Sequence, residues 1–90
     1  MDKRKLIEEM ETRYNNIYKL KKEIAGFKKE KAEQRNRYWG EATGIAKEKE
    51  DYIKAMTSGV DEKIRLNEAE IQYNLDMIEI LDFKLVYCDE

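Results

Sequence analysis

Apolar residues recur along the chain at steps of three and four, the spacing that marks one face of an α-helix. Between residues 3 and 38 the stripe runs through Ile7, Met10, Tyr14, Ile17, Ile24 and Phe27, and Leu6, Tyr18 and Leu20 broaden it. Lys21 interrupts the seam. Asp2 stands where an N-cap side chain accepts from free backbone amides, and Glu8 and Glu9 lie toward the positive end of the helix dipole. A helix of this length runs about 50 Å.

Gly40 and Gly44 bracket the most turn-like stretch, so the bend is expected over residues 39–44. Gly40 suits a left-handed C-terminal cap there, and Thr43 suits the N-cap of the next helix. Beyond it, a second helical region is expected over residues 45–88. Ile53, Met56, Val60, Ile64, Asn67, Ile71, Ile78 and Leu85 share one face of it. Thr57-Ser58-Gly59 is the point where this region kinks or splits into a third helix, since Ser58 and Asp61 have the spacing of a weak capping box. Gly26 and Gly59 lie almost symmetrically about the bend, where two antiparallel helices would bring them face to face.

The last twenty residues carry two apolar stripes. One holds Ile71, Leu75, Ile78, Leu81 and Leu85; the other holds Tyr73, Met77, Ile80, Phe83 and Tyr87. A helix apolar on two faces buries the second against something other than its partner in a two-helix unit. Parts of this segment also alternate as a strand does, but the helical matches extend further and favour helix.

Composition sharpens this picture. The chain has 90 residues, no proline and 42% charged residues, so it forms one small domain with few helix breakers. Its net charge of −2 conceals an asymmetry. Residues 19–40 carry eight bases and three acids, whereas residues 41–90 carry six bases and thirteen acids. No segment has the run of about 18–20 apolar residues that crosses a bilayer, and the N-terminus lacks a signal-peptide core. A lone cysteine, Cys88, fits a reducing compartment, so cytoplasmic residence is expected, with signal-less secretion as the alternative.

The residues give little support to catalysis. With no histidine, the commonest general base and a leading zinc ligand are missing. Cys88 has no nearby base to lower its pKa, and no glycine-rich phosphate loop occurs. Asp76, Glu79 and Asp82 line one helical face and read as a solvated acidic surface before they read as a cation site. Neither a cofactor nor a metal is expected. The basic stretch, with Lys21, Lys22, Lys28, Lys29, Lys31, Arg35 and Arg37, is the strongest nucleic-acid signal, but Glu23, Glu30 and Glu33 interleave it. Nucleic-acid binding is therefore the lesser reading, and a solvated helical flank the greater. Trp39 and Tyr38, beside the bend, are candidate partner anchors, because Trp and Tyr dominate interface hot spots, although packing under the turn is the greater reading for Trp39.

A chain of this length, with two helices and Trp39-Gly40 at the bend, resembles the ESX-type small secreted helical hairpins. That resemblance implies a secreted hairpin or its partner. The family places one residue between Trp and Gly, whereas here they are adjacent, and no aromatic in the C-terminal segment is followed by an acid at the family's spacing. In style the chain is also similar to phage and mobile-element accessory proteins that inhibit a host machine by covering its surface.

The expectation is an all-α antiparallel helical hairpin of coiled-coil type, oligomeric, forming a single helical domain over residues 1–90. Its function is expected to be a non-enzymatic protein–protein interaction module, an assembly adaptor or an inhibitor of a larger machine. Association is assigned to Ile71, Leu75, Ile78, Ile80, Leu81, Phe83 and Leu85, with a protein partner or a second copy opposite them. The acidic segment Leu66–Glu90 is expected to steer toward a basic surface such as Lys19–Arg37 of another protomer.

Overall fold

The computed structural model describes residues 2–87. Among them the chain forms three helices and no strand: α1 (Lys3–Glu41), α2 (Ala46–Met56) and α3 (Ser58–Val86). Tyr73 to Val86 is therefore helix. Cys88, Asp89 and Glu90, which belong to the expected helical region and acidic tail, lie outside the described residues.

Asp2 caps α1 as its side chain predicts, its Oδ1 accepting from the Arg4 backbone amide at 2.9 Å. The helix runs three residues past Tyr38, so Trp39 and Gly40 sit in its last turn. Gly40 is thus not the left-handed cap. That conformation falls to Gly44, with φ 104°, and Ile45 rather than Thr43 occupies the N-cap of α2. The Ile45 amide donates to Glu48 Oε2 at 3.3 Å, the bond that a glutamate at the third helical position makes back to the N-cap, while Ile45 itself has no side-chain acceptor for the first α2 amides.

The break between α2 and α3 falls at Thr57, two residues before Gly59. It is slight, because Thr57 N–H still donates to Ile53 O and Asp61 N–H to Thr57 O. The Thr57 hydroxyl, fully buried, also donates to Ile53 O at 2.9 Å, and that back-bonding is a known cause of helix bending.

The core is a seam between α1 and α3, extended at the bend end by Ile53 of α2, which is 3% exposed. On α1 its apolar members are Leu6, Met10, Ile17, Leu20, Ile24 and Phe27, at regular steps of four and three once Arg13 is included. On α3 they are Val60, Ile64, Ile71, Ile78, Leu81 and Leu85, and Asn67 and Asn74 complete the same rhythm. Ile24, Val60 and Ile64 form its centre, with Phe27 and Ile71 against them. Contacts step backward along α3 as they step forward along α1. Arg13 meets Asn74, Glu23 meets Asn67, Lys31 meets Asp61, and Arg35 meets Glu50 on α2.

Several sequence expectations shift by one residue. Ile7 and Tyr14 are exposed, and Leu6 and Arg13 face inward instead. Met56 is exposed and Thr57 buried; Leu75 is exposed and Asn74 is 2% exposed. The strict four-three rhythm set by Ile17, Leu20, Ile24, Ile71, Ile78 and Leu81 fixes the phase, and local hydrophobicity yields to it. Gly26 and Gly59 do not approach anything: a Cβ built on either meets nothing within 4 Å. The whole molecule is elongated, 68 × 17 × 14 Å.

Candidate interaction surface

The residues assigned to association divide between two faces of α3. Ile78 and Leu81 are buried against α1, and Ile71 and Leu85 are half-buried. Leu75, Ile80 and Phe83 are exposed. The exposed set is larger than the assigned one. Leu66, Tyr73, Ile80 and Tyr87 recur every seven residues, and Ala69, Asp76 and Phe83 fall between them at alternating steps of three and four. All seven are exposed. This outer seam repeats the rhythm of the inner one on another side of the same helix. The seven-residue repeat of Leu66, Tyr73, Ile80 and Tyr87 was legible in the sequence as the signal for it.

The outer seam has built features. Phe83 and Tyr87 stack with ring centroids 4.6 Å apart. Asp76, Glu79, Ile80 and Phe83 line an open groove of about 420 Å³. The Arg13 guanidinium lies 5.5 Å from the Tyr73 ring centroid and donates to Asn74 Oδ1, which connects the seam to α1. Gln72 donates to Asp76 Oδ1 at 2.9 Å, but among the described residues no cation pairs with Asp76 or Glu79. Farther back, Arg65 hydrogen-bonds Glu62, which holds the Glu62 carboxyl below its ordinary pKa and raises that of Arg65.

On α1 a second stripe follows one residue behind the inner seam: Ile7, Tyr14, Lys21, Lys28 and Arg35, joined by Tyr18, Ala25, Ala32 and Trp39. All are exposed. Trp39, 41% exposed, is covered on one face by Lys49, whose Nζ is 5.0 Å from the ring. Tyr38 is half-buried and meets Tyr52 edge-on at 6.1 Å, so it serves the fold at the bend more than an outer surface.

The basic stretch is partly satisfied within the molecule. Lys31 Nζ is 2.6 Å from Asp61, Arg35 is 2.7 Å from Glu50, and Arg37 is 3.4 Å from Glu41. Lys22 lies over the Tyr18 ring at 5.2 Å. Lys21, Lys28 and Lys29 are exposed and have no ion-pair partner among the described residues. Three of the eight bases of residues 19–40 are thus ion-paired inside one molecule, and a shorter cationic row remains.

Among the described residues no group of three or more His, Cys, Asp or Glu is placed to hold a metal ion. No helix there is long and apolar enough to cross a membrane. No family model matches the chain, and neither a curated protein nor a solved structure matches it.

Proposed function

We propose that the chain is a non-enzymatic protein-binding module, an antiparallel coiled-coil-like helical hairpin that works by its outer faces as an assembly adaptor or as an inhibitor covering a larger machine. The observation that carries this reading is the outer seam of α3. Ile80, Phe83 and Tyr87 are 48%, 63% and 69% exposed on a helix whose inner seam is already occupied by α1. Contiguous large apolar side chains at a heptad rhythm mark a surface built for another helix, because water solvates them poorly. Each large side chain that becomes fully buried contributes about 1.5–3 kcal/mol before ordering costs.

Photo-crosslinking tests the reading. A benzophenone side chain is placed at Phe83 or Ile80, and at exposed Glu33 as the control, in protein expressed in its own cells. Crosslinked species, to itself or to another protein, are expected from Phe83 and Ile80 and not from Glu33. Equal labelling from all three positions, or none from any, would remove the outer seam as a binding face.

A further inference from the structure

Resting on that reading, we propose that the occupant of the outer α3 seam is the outer stripe of α1 from a second copy of the chain, joined head to tail. The two surfaces are complementary in charge. The seam is acidic at Asp76 and Glu79, and among the described residues neither has a cation partner. The α1 stripe offers Lys21 and Lys28, equally unpaired, between Tyr14, Tyr18, Ala25 and Ala32. Surfaces of opposite sign and matching apolar content recognise each other and reject their own kind.

Their registers match as well. Laid against each other in opposite directions, both rows advance by the same steps of three and four. With Asp76 opposite Lys21, Ile80 meets Tyr18, Phe83 meets Tyr14, and bulky Tyr73 meets small Ala25. The acid finds a base and the large groups face large or small ones, while Lys28 falls opposite small Ala69. Sliding by one heptad toward the N-terminus of α1 instead sets Asp76 against Tyr14 and Ile80 against Glu11, which strands both carboxylates. The favoured register offsets the second copy along the axis by about 15 Å.

Charge also disfavours a symmetric pairing in which two α3 seams overlap along their full length. Asp76 is at the middle of a seam that runs from Leu66 to Tyr87. Full overlap of two α3 seams about a two-fold axis places Asp76 against its own copy, with Glu79 alongside, and like charges repel.

The contact is heterologous, and geometry keeps its two halves apart. Each α1 stripe residue follows an inner-seam residue, as Ile7 follows Leu6 and Tyr14 follows Arg13, a turn of about 100°. On α3, Tyr73 and Ile80 each precede an inner-seam residue, Asn74 and Leu81, an equal turn in the other sense. In helices that run oppositely, a forward step on either turns toward the same flank, so these two rows lie on opposite flanks. Every copy therefore keeps one surface free after pairing, and growth continues until a ring closes or a filament forms.

Complementation tests this. Ile80→Lys/Phe83→Lys removes the α3 seam, and Tyr14→Glu/Tyr18→Glu removes the α1 stripe; all four side chains are exposed, and circular dichroism checks that each variant keeps its helicity. By light scattering over a concentration series, the wild-type mass is expected to climb from 10.8 kDa past that of a dimer. Each variant alone stays a monomer. Their equimolar mixture stops at a heterodimer, about twice the monomer mass, because each partner brings the one surface the other lacks. The charge exchange Asp76→Lys with Lys21→Glu, combined in one chain, should restore assembly that either change alone weakens at least tenfold. A wild type that stays monomeric, variants that still dimerise alone, or a mixture that stays monomeric would each overturn this pairing. Crosslinking from Phe83 to a different protein beside a monomeric wild type would leave the binding reading standing and this inference fallen.

Discussion

Asn74 is 2% exposed in the middle of an aliphatic seam, and its polar groups account for its presence there. Its Nδ2 donates to Glu70 O at 2.8 Å, and its Oδ1 accepts from Arg13 Nη1 at 3.3 Å. A buried amide with both ends engaged is tolerated but stabilises less than a leucine of similar volume, and its use is to fix register. Asn74→Leu is accordingly expected to raise stability by about 1–2 kcal/mol, the burial gain less the lost hydrogen bonds. Urea denaturation reads the gain. Spin labels at exposed Thr12 and Gln72 should at the same time report a broader distance distribution, because the Arg13 clasp is gone. A loss of stability would mean that Asn74 contributes more to the fold than register. At Leu81, 2% exposed and wholly aliphatic, truncation has no such compensation: Leu81→Ala should cost about 2–5 kcal/mol in the same titration.

At the scale of elements, the glycines separate by backbone and surroundings. Gly26 and Gly59 are helical and open, so alanine there gains helix propensity without a clash. Each substitution should stabilise by about 0.5–1 kcal/mol, readable as a higher melting midpoint. Gly44 is the opposite case, since its φ of 104° strains any side chain and a Cβ would run into the Glu48 carboxylate. Gly44→Ala should lower the midpoint, and an unchanged value would show that the bend re-forms in another conformation. The same contrast explains what the sequence made legible. Helix existence, the bend and the break near Gly59 followed from spacing and punctuation, which act locally. Which glycine takes the left-handed turn did not follow, because Gly40 and Gly44 are equal as letters and only the extension of α1 to Glu41 decides between them. The phase of the seam was lost for a related reason. Tyr14 and Leu75 are more apolar than Arg13 and Asn74, yet the latter pair sits inside because the rhythm of both helices brings them together. That is a property of the pair of helices and cannot be read from either alone. The two faces of α3 were visible as two stripes, but which members each face holds awaited the position of α1.

The whole molecule is a rod. A compact chain of this length would have a radius of gyration of about 12 Å. The observed value is 19.9 Å, because a seam one helix deep extends along the axis instead of thickening into a globule. Such a rod exposes long flanks relative to its core, and each exposed ion pair along them, such as Lys31–Asp61, contributes only about 0–1 kcal/mol. Stability in isolation therefore rests on the buried core and not on the outer rows. The Ile80→Lys/Phe83→Lys variant, held monomeric, is the form in which this separation is measurable. Small-angle X-ray scattering should give it a radius of gyration near the observed 19.9 Å, with a maximum dimension near 68 Å. A value near 12 Å would mean that the exposed rows fold back onto the same chain when no neighbour is available. Agreement with the rod would mean that they stay presented, and that the apolar flank of α3 is a standing surface.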